Sequence, residues 1–449
     1  MAGGARSIDR VNDGLRVAVV GSGPAGFYAA GALLAGGAEV DMLERLPTPW
    51  GLVRLGVAPD HPKIKSVSRA FEKIAAQEGF RFLGNVEVGR DIEHDELLEL
   101  YDAVVYAVGA QTDRRMGIPG EDLPGSSPAT EFVAWYNGHP DFQHLQFDLS
   151  GKRAVVIGNG NVAVDVARML ALTKEELDPT DTTEPAIEAI ANSGIEEIVM
   201  VGRRGPAQAA FTTPELIELG ELAGADVVVD AADLEGAEPK DTNSERNLEV
   251  LREYAQRVPT GKPRRIVLRF FRSPTAILGD DRVTGIELVR NVLDEDERAV
   301  PTGETETLDC SVVFRSVGYR GVALPGVPFD ESRGTIPNEG GRVGDGVYVA
   351  GWIKRGPTGV IGTNKKDATE TVELLLADLN DAPRRGRTFD DVEALLREKN
   401  VKHVLYEGWT AIDERERTAG EPLGRPRVKL CTWEELLEAA GVAAERNPT

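Results

Sequence analysis

The sequence predicts an α/β protein with two Rossmann-like dinucleotide-binding units, and three observations carry that reading. An apolar strand, a glycine-rich turn and a small-residue helix follow one another from Arg16. The same order recurs from Ala154. The 49 glycines gather where apolar runs end, which marks strand-to-helix turns and not a flexible linker.

The first unit is RVAVVGSGPAGFYAAGALLAGGAEVDMLER, residues 16–45. Arg16 to Val20 read as a buried strand, and Pro24 to Leu34 as a helix packed on a sheet. Between them Gly21, Gly23 and Gly26 form G-x-G-x-x-G, with Ala25 in the same turn. Glycines there permit a tight turn, close approach of a diphosphate and close helix–strand packing. The helix N-terminus supplies free amides and a favourable dipole for an anion. A second strand, Glu39 to Leu43, runs into Glu44, where an acid accepts hydrogen bonds from ribose hydroxyls.

The second unit is KRAVVIGNGNVAVDVARMLAL. Gly158, Gly160 and Ala163 follow the strand Ala154 to Ile157, and alanine is permitted at the third position. Asn159, Asn161 and Val162 are expected to offer backbone amides to a diphosphate. The polar stretch Thr173 to Asn192 reads as an insertion. The strand Ile198 to Val201 follows, and Arg203 and Arg204 stand where the first unit has its acid. A carboxylate repels the 2′-phosphate of NADP, whereas a guanidinium binds it through charge-assisted contacts. The competing reading is two solvated surface arginines. An acid-ended unit suits FAD and an arginine-ended unit suits NADP(H), the pair used by flavin-dependent pyridine-nucleotide oxidoreductases.

Composition narrows the alternatives. With 449 residues the chain has room for two or three domains, and 41% hydrophobic with 28% charged residues is the balance of a globular protein. A formal charge of −23 argues against general nucleic-acid binding. No window approaches a membrane span. Residues 1–15 lack a signal-peptide core and are expected to form a disordered arm of a cytoplasmic protein. Cys310 and Cys431 make no Cys-x-x-Cys, so no thiol redox pair or cysteine-held cluster is expected. The five histidines show no ligand spacing, and no metal site is expected.

Five longer stretches extend the comparison: PTPWGLVRLGVAPDHPKIK (47–65), VIGNGNVAVDVAR (156–168), VGRRGPAQAAFTTPEL (201–216), VFRSVGYRG (313–321) and VAGWIKRGPTGVIGTNKKDA (349–368). Together they resemble ferredoxin–NADP reductases of the adrenodoxin-reductase type, in particular the actinobacterial members, over residues 16–440. The resemblance implies FAD and NADP(H) as cofactors and hydride transfer from NADPH to FAD, followed by single-electron transfer to a ferredoxin, an acidic iron–sulfur partner. It implies a monomer in which an NADP domain (113–321) is inserted into an FAD domain (16–112 and 322–449, with a C-terminal extension). Leu52, Trp352, Gly359, Val360 and Ile361 match the family's flavin contacts, with Gly359 also serving NADP; a core role for Trp352 competes. His61 matches a histidine near the nicotinamide site and Glu218 the acid that pairs with it. Capping of the helix that follows by His61 or Asp60 is the bland alternative. Glu215 matches a contact to the nicotinamide-side ribose, against which stands a favourable charge at a helix start.

A ferredoxin needs a cationic surface on an otherwise acidic protein. The turn TGKPRRIVLRFFR (260–272) is the candidate, with Lys262, Arg264 and Arg265 as docking residues, a solvated turn being the alternative. Two rivals lack their sequence signatures here: the glutamate synthase small subunit has a cysteine-rich N-terminal region, and thioredoxin-reductase-like enzymes have a cysteine pair. A catalytically silent flavin-binding scaffold is disfavoured by His61, Glu218 and the two arginines.

Overall fold

The computed structural model describes residues 14–359 and 361–443. Residues 1–13 of the expected arm and Val360 of the expected flavin contacts lie outside the described residues. Leu15, assigned to that arm, is fully buried, and its carbonyl accepts the Glu39 amide at 2.8 Å. The first strand is therefore anchored one residue earlier than its apolar run suggests.

The first sheet has six strands in the order Arg342–Gly344, Val347–Val349, Ala103–Tyr106, Arg16–Val20, Glu39–Glu44 and Phe80–Gly84. All neighbours are parallel except the short Arg342–Gly344 edge. Its strands are apolar on both sides because both faces are covered. Val17, Val19, Phe27, Met42 and Trp409 fill one face, and Ala18, Val20, Leu43, Val349 and Leu396 the other. Two strands at one edge come from beyond residue 340, so this sheet is assembled from the two ends of the chain.

The second sheet is wholly parallel, in the order Ser126–Pro128, Val312–Arg315, Arg153–Ile157, Glu197–Val201, Arg264–Arg269 and Ala225–Val229. Helices cover one face through Phe132, Val164 and Leu170. The antiparallel strands Arg272–Leu278, Gly285–Leu293 and Ala299–Asp309 cover the other through Ile277, Ile286 and Leu288.

The chain passes between the sheets twice, and the two crossings pair: Thr112–Asp113 is antiparallel to Tyr319–Arg320. A second bridge was not legible in the sequence. The stretch from Thr173 to Asn192 folds into the helices Lys174–Leu177 and Glu184–Ala191, with Thr180 to Thr183 buried between them. Arg425, from the C-terminal region, donates to the carbonyls of Thr180 and Thr182 and pairs with Glu184. Asp181 accepts from Lys65 at 2.7 Å and pairs with Lys429 at 3.2 Å. These polar residues are inside because their partners arrive from a distant part of the chain. No helix among the described residues is long and apolar enough to cross a membrane.

Candidate functional site

At the first glycine turn Gly21 has φ +101°, and a Cβ there would lie 2.7 Å from the Ala107 carbonyl oxygen. A Cβ on Gly26 would lie 2.0 Å from the Gly21 carbonyl oxygen, so the helix Pro24–Ala35 packs against the strand only without side chains. A Cβ on Gly23 would meet nothing within 4 Å. That open space lies at the N-terminus of a 12-residue helix, where a diphosphate belongs. Ala25 is buried in the helix's first turn.

Glu44 is held in place by its own neighbours: its carboxylate accepts the Ser22 amide and hydroxyl at 3.0 and 2.6 Å and the Leu46 amide at 3.0 Å. A carboxylate so fixed keeps lone pairs for ribose hydroxyls. Leu52, 44% exposed, follows Gly51, whose backbone packs against Gly23. Arg54 in the same turn is clamped by Glu416 through bonds of 2.8 and 2.5 Å, so the C-terminal region braces this turn.

From the far end of the chain, Trp352 stacks on Tyr319 of the crossing strand, centroids 5.6 Å apart, and its indole N–H donates to the Thr358 carbonyl. Gly359 has φ +81°, and Ile361 starts the helix Ile361–Asp378. Trp352 is half-buried and lies outside the packed cores, which answers the competing core reading.

The second turn repeats the first. Gly158 has φ +133°, with the Ser316 carbonyl oxygen 2.2 Å from where a Cβ would stand, and Gly160 faces open space at the N-terminus of Asn161–Ala171. The Asn159 carbonyl accepts the amides of Ala210 and Phe211, and the Asn161 side chain accepts the Thr212 amide. The asparagines thus tie the turn to the segment leading into Thr213–Leu219, and Val162 packs on the core below. Arg203 and Arg204 follow the strand Glu197–Val201. Asn291 and Phe271 hold their backbone carbonyls, at 2.8 and 3.0 Å. Among the described residues neither guanidinium forms an ion pair; Arg204 reaches only the Gln208 carbonyl, at 3.5 Å. Most other arginines here have a carboxylate partner, so these two are available to an anion.

Between the units lies a cluster of charge. His61 precedes the single turn Pro62–Lys65 and makes no side-chain cap bond there, which removes the capping alternative for His61. Its Nε2 lies 3.0 Å from Glu218 Oε2 and its Nδ1 3.9 Å from Glu215 Oε1. Sequence reasoning missed three further members. Arg168, 2% exposed, donates to Asp60 at 2.9 and 3.1 Å, Asp165 at 2.8 Å, Glu218 at 3.0 Å and Glu215 at 3.3 Å. Burial pushes Asp165 up to about 8 against the pull of Arg168, helped by Glu215 and Asp60. The available signal was Asp165 and Arg168 three apart on one helix face, within a stretch already quoted for its glycines. Within the cluster, His61, Asp165 and Glu215 each place a potential ligand atom within 4.8 Å of the others.

The residues of the expected docking turn have partners within the protein. Lys262 donates to the carbonyls of Leu222 and Ala225. Arg264 donates to those of Leu170, Leu172 and Ile190 and to Ser193. Arg265 pairs with Glu197. Arg264 and Arg265 belong to the strand and not to the turn before it, and the register sets them beside Glu197 at the N-terminal end of the sheet. The glycine turns are at the other end, roughly 16 Å of strand away. Charge composition could not reveal that Lys262 and Arg264 donate to carbonyls and that Arg265 pairs with Glu197.

Two glycine turns, one in each sheet unit, with a charged cluster joining the units, define the class of two-nucleotide oxidoreductases. In keeping with that, the pyridine nucleotide-disulphide oxidoreductase family model matches residues 15–178. The NADPH-ferredoxin reductase FprA of Mycobacterium tuberculosis is 54% identical over 446 residues, covering 94% of this chain and 98% of that relative. Human mitochondrial NADPH:adrenodoxin oxidoreductase is 44% identical over 453 residues, covering 95% and 92%. The solved structure of M. tuberculosis FprA in complex with NADPH matches with a TM-score of 0.91 at 53% identity, covering 95% of this chain and 99% of that one. The chain belongs to the family of NADPH-ferredoxin and adrenodoxin reductases.

Proposed function

We propose that this protein is an FAD-dependent ferredoxin–NADP(+) oxidoreductase that moves electrons between NADP(H) and a ferredoxin-type iron–sulfur protein. The observation that carries this reading is the contrast between the two units: a fixed carboxylate, Glu44, ends one, and two unpaired guanidiniums, Arg203 and Arg204, end the other. The family relationship supports the same reading.

FAD, when bound, supplies the exchange between a two-electron hydride and single electrons. The chain's part is to bind, orient and shield. Gly21, Gly23, Ala25 and Gly26 cradle the FAD diphosphate, Glu44 takes the adenosine ribose, and Leu52, Trp352, Gly359 and Ile361 border the ring site, as does Val360 by its place in the sequence. Gly158, Asn159, Gly160, Asn161 and Val162 cradle the NADP(H) diphosphate, with Arg203 and Arg204 on its 2′-phosphate. Glu215 faces the nicotinamide-side ribose. His61 and Glu218 close the cleft and orient the nicotinamide, and Gly359 lies on the NADP(H) side of the ring site as well. Arg168 fixes the carboxylates of the cleft.

Two further readings are proposals of the same kind. The domain division follows the paired crossings at 112–113 and 319–320, giving an inserted NADP domain between two segments of an FAD domain. A cytoplasmic monomer fits two free cysteines.

The test is spectroscopic. Purified protein should carry about one non-covalent FAD per chain, bleach rapidly on addition of NADPH, and then reduce a ferredoxin. FMN in place of FAD, or flavin that NADPH leaves oxidised, overturns the proposal.

A further inference from the structure

His61, Asp165 and Glu215 come from three separate segments yet place one ligand atom each within 4.8 Å of one another. His61 Nε2 lies 3.0 Å from Glu218 Oε2 and Nδ1 3.9 Å from Glu215 Oε1. Nε2 is buried and makes no hydrogen bond, in a side chain only 8% exposed. A buried imidazole nitrogen left without a hydrogen-bond partner among carboxylates is one that a metal ion would satisfy. The carboxylates are likewise half used. Arg168 takes Asp165 Oδ1 and Glu215 Oε2, leaving Asp165 Oδ2 and Glu215 Oε1. Asp60, Asp165, Glu215 and Glu218 all surround the single guanidinium of Arg168.

We propose that His61, Asp165 and Glu215 bind one divalent transition-metal ion, and that this ion and the nicotinamide end of NADP(H) exclude one another. One imidazole and two carboxylates suit Zn2+, which tolerates irregular four-coordination and fills its last position with water. Glu218, 3.0 Å from Nε2, is the carboxylate that positions the imidazole. Arg168 holds both carboxylate ligands by their other oxygens, so the ion enters without breaking the cluster. The exclusion rests on the placement of the nicotinamide in this cleft proposed above; the metal site itself does not.

Equilibrium dialysis of the flavin-loaded protein against Zn2+, with metal analysis, tests both parts. The expected result is one Zn2+ per chain above a background measured on His61→Gln, with affinity lowered about tenfold or more by Glu218→Gln, and release by saturating NADP+. Asp165→Asn provides a second ligand variant, because Arg168 keeps three other carboxylates, and it too should lose the ion. Zn2+ bound equally by wild type and His61→Gln, or not bound at all, overturns the metal site. Zn2+ that is lost in His61→Gln yet unmoved by NADP+ upholds the metal site, overturns the exclusion, and counts against the nicotinamide placement.

Discussion

His61 Nε2 and Glu218 Oε2 meet at 3.0 Å across the cleft between the two sheet units. One residue stands before a helical turn of the first unit, and the other on the helix Thr213–Leu219 of the second. Their contact joins the two units, so a change in either reads out how the units are juxtaposed.

Replacing His61 by glutamine keeps the volume and removes the imidazole. Flavin reduction by NADPH, followed by stopped flow, should slow roughly ten- to a hundredfold, the cost of a misplaced reacting group. The FAD content should stay at its wild-type value, because His61 touches neither Glu44 nor the first glycine turn. An unchanged rate would leave His61 without a part in orientation.

Asp181 is the counter-charge to two buried ammoniums, Lys65 at 2.7 Å and Lys429 at 3.2 Å. Burial raises its pKa, but Lys429 and Lys65 outweigh that and hold the carboxyl below the usual carboxylate range. Asp181→Asn strands both cations, at a cost of about 3–5 kcal/mol. The thermal midpoint should fall clearly, and Asp181→Asn combined with Lys429→Met should recover part of the loss. A midpoint within a degree of wild type would show that this bridge contributes little.

Asp113 lies in the paired crossings, with its carboxyl pushed up to about 6 by burial, against the hydrogen bond from Thr130 and the pull of Arg315. A raised carboxyl pKa means that the folded state holds its proton more tightly than the unfolded one. The contribution is therefore fully present below about pH 4 and is lost as pH rises through about 6. Asp113→Asn removes the ionisation, so its thermal midpoint should match wild type near pH 4 and exceed it at pH 7, by up to about 3 kcal/mol in stability. Parallel curves for the two proteins from pH 4 to 7 would contradict this.

The fold was legible wherever a strand is apolar on both faces and ends in glycine. The segments Arg16–Val20, Arg153–Ile157 and Glu197–Val201 satisfy that condition, and their boundaries were read to within a residue. The glycine turns were legible because only glycine tolerates the approach of the Ala107 and Ser316 carbonyls. What the sequence hid depends on partners far along the chain. Thr180 to Thr183 look like a solvated insertion until Arg425 and Lys429 arrive from the other end. Lys262 and Arg264 look like a free cationic patch until the carbonyls they cap are placed beside them. Arg168 and Asp60 were invisible for the same reason, being 108 residues apart and joined by two hydrogen bonds.

The central claim is that the second unit takes NADP(H) because Arg203 and Arg204 stand free where the first unit has Glu44. Each charged contact to a phosphate is worth roughly 1.5–3 kcal/mol. With a discount for exposure, replacing both arginines by alanine should lower kcat/KM for NADPH by about two to three orders of magnitude. NADH has no 2′-phosphate to lose, so its kcat/KM should change much less. Steady-state kinetics with the two nucleotides on the double variant is the direct measurement. The account predicts a collapse of the NADPH-to-NADH preference; a ratio that stays at the wild-type value would contradict it.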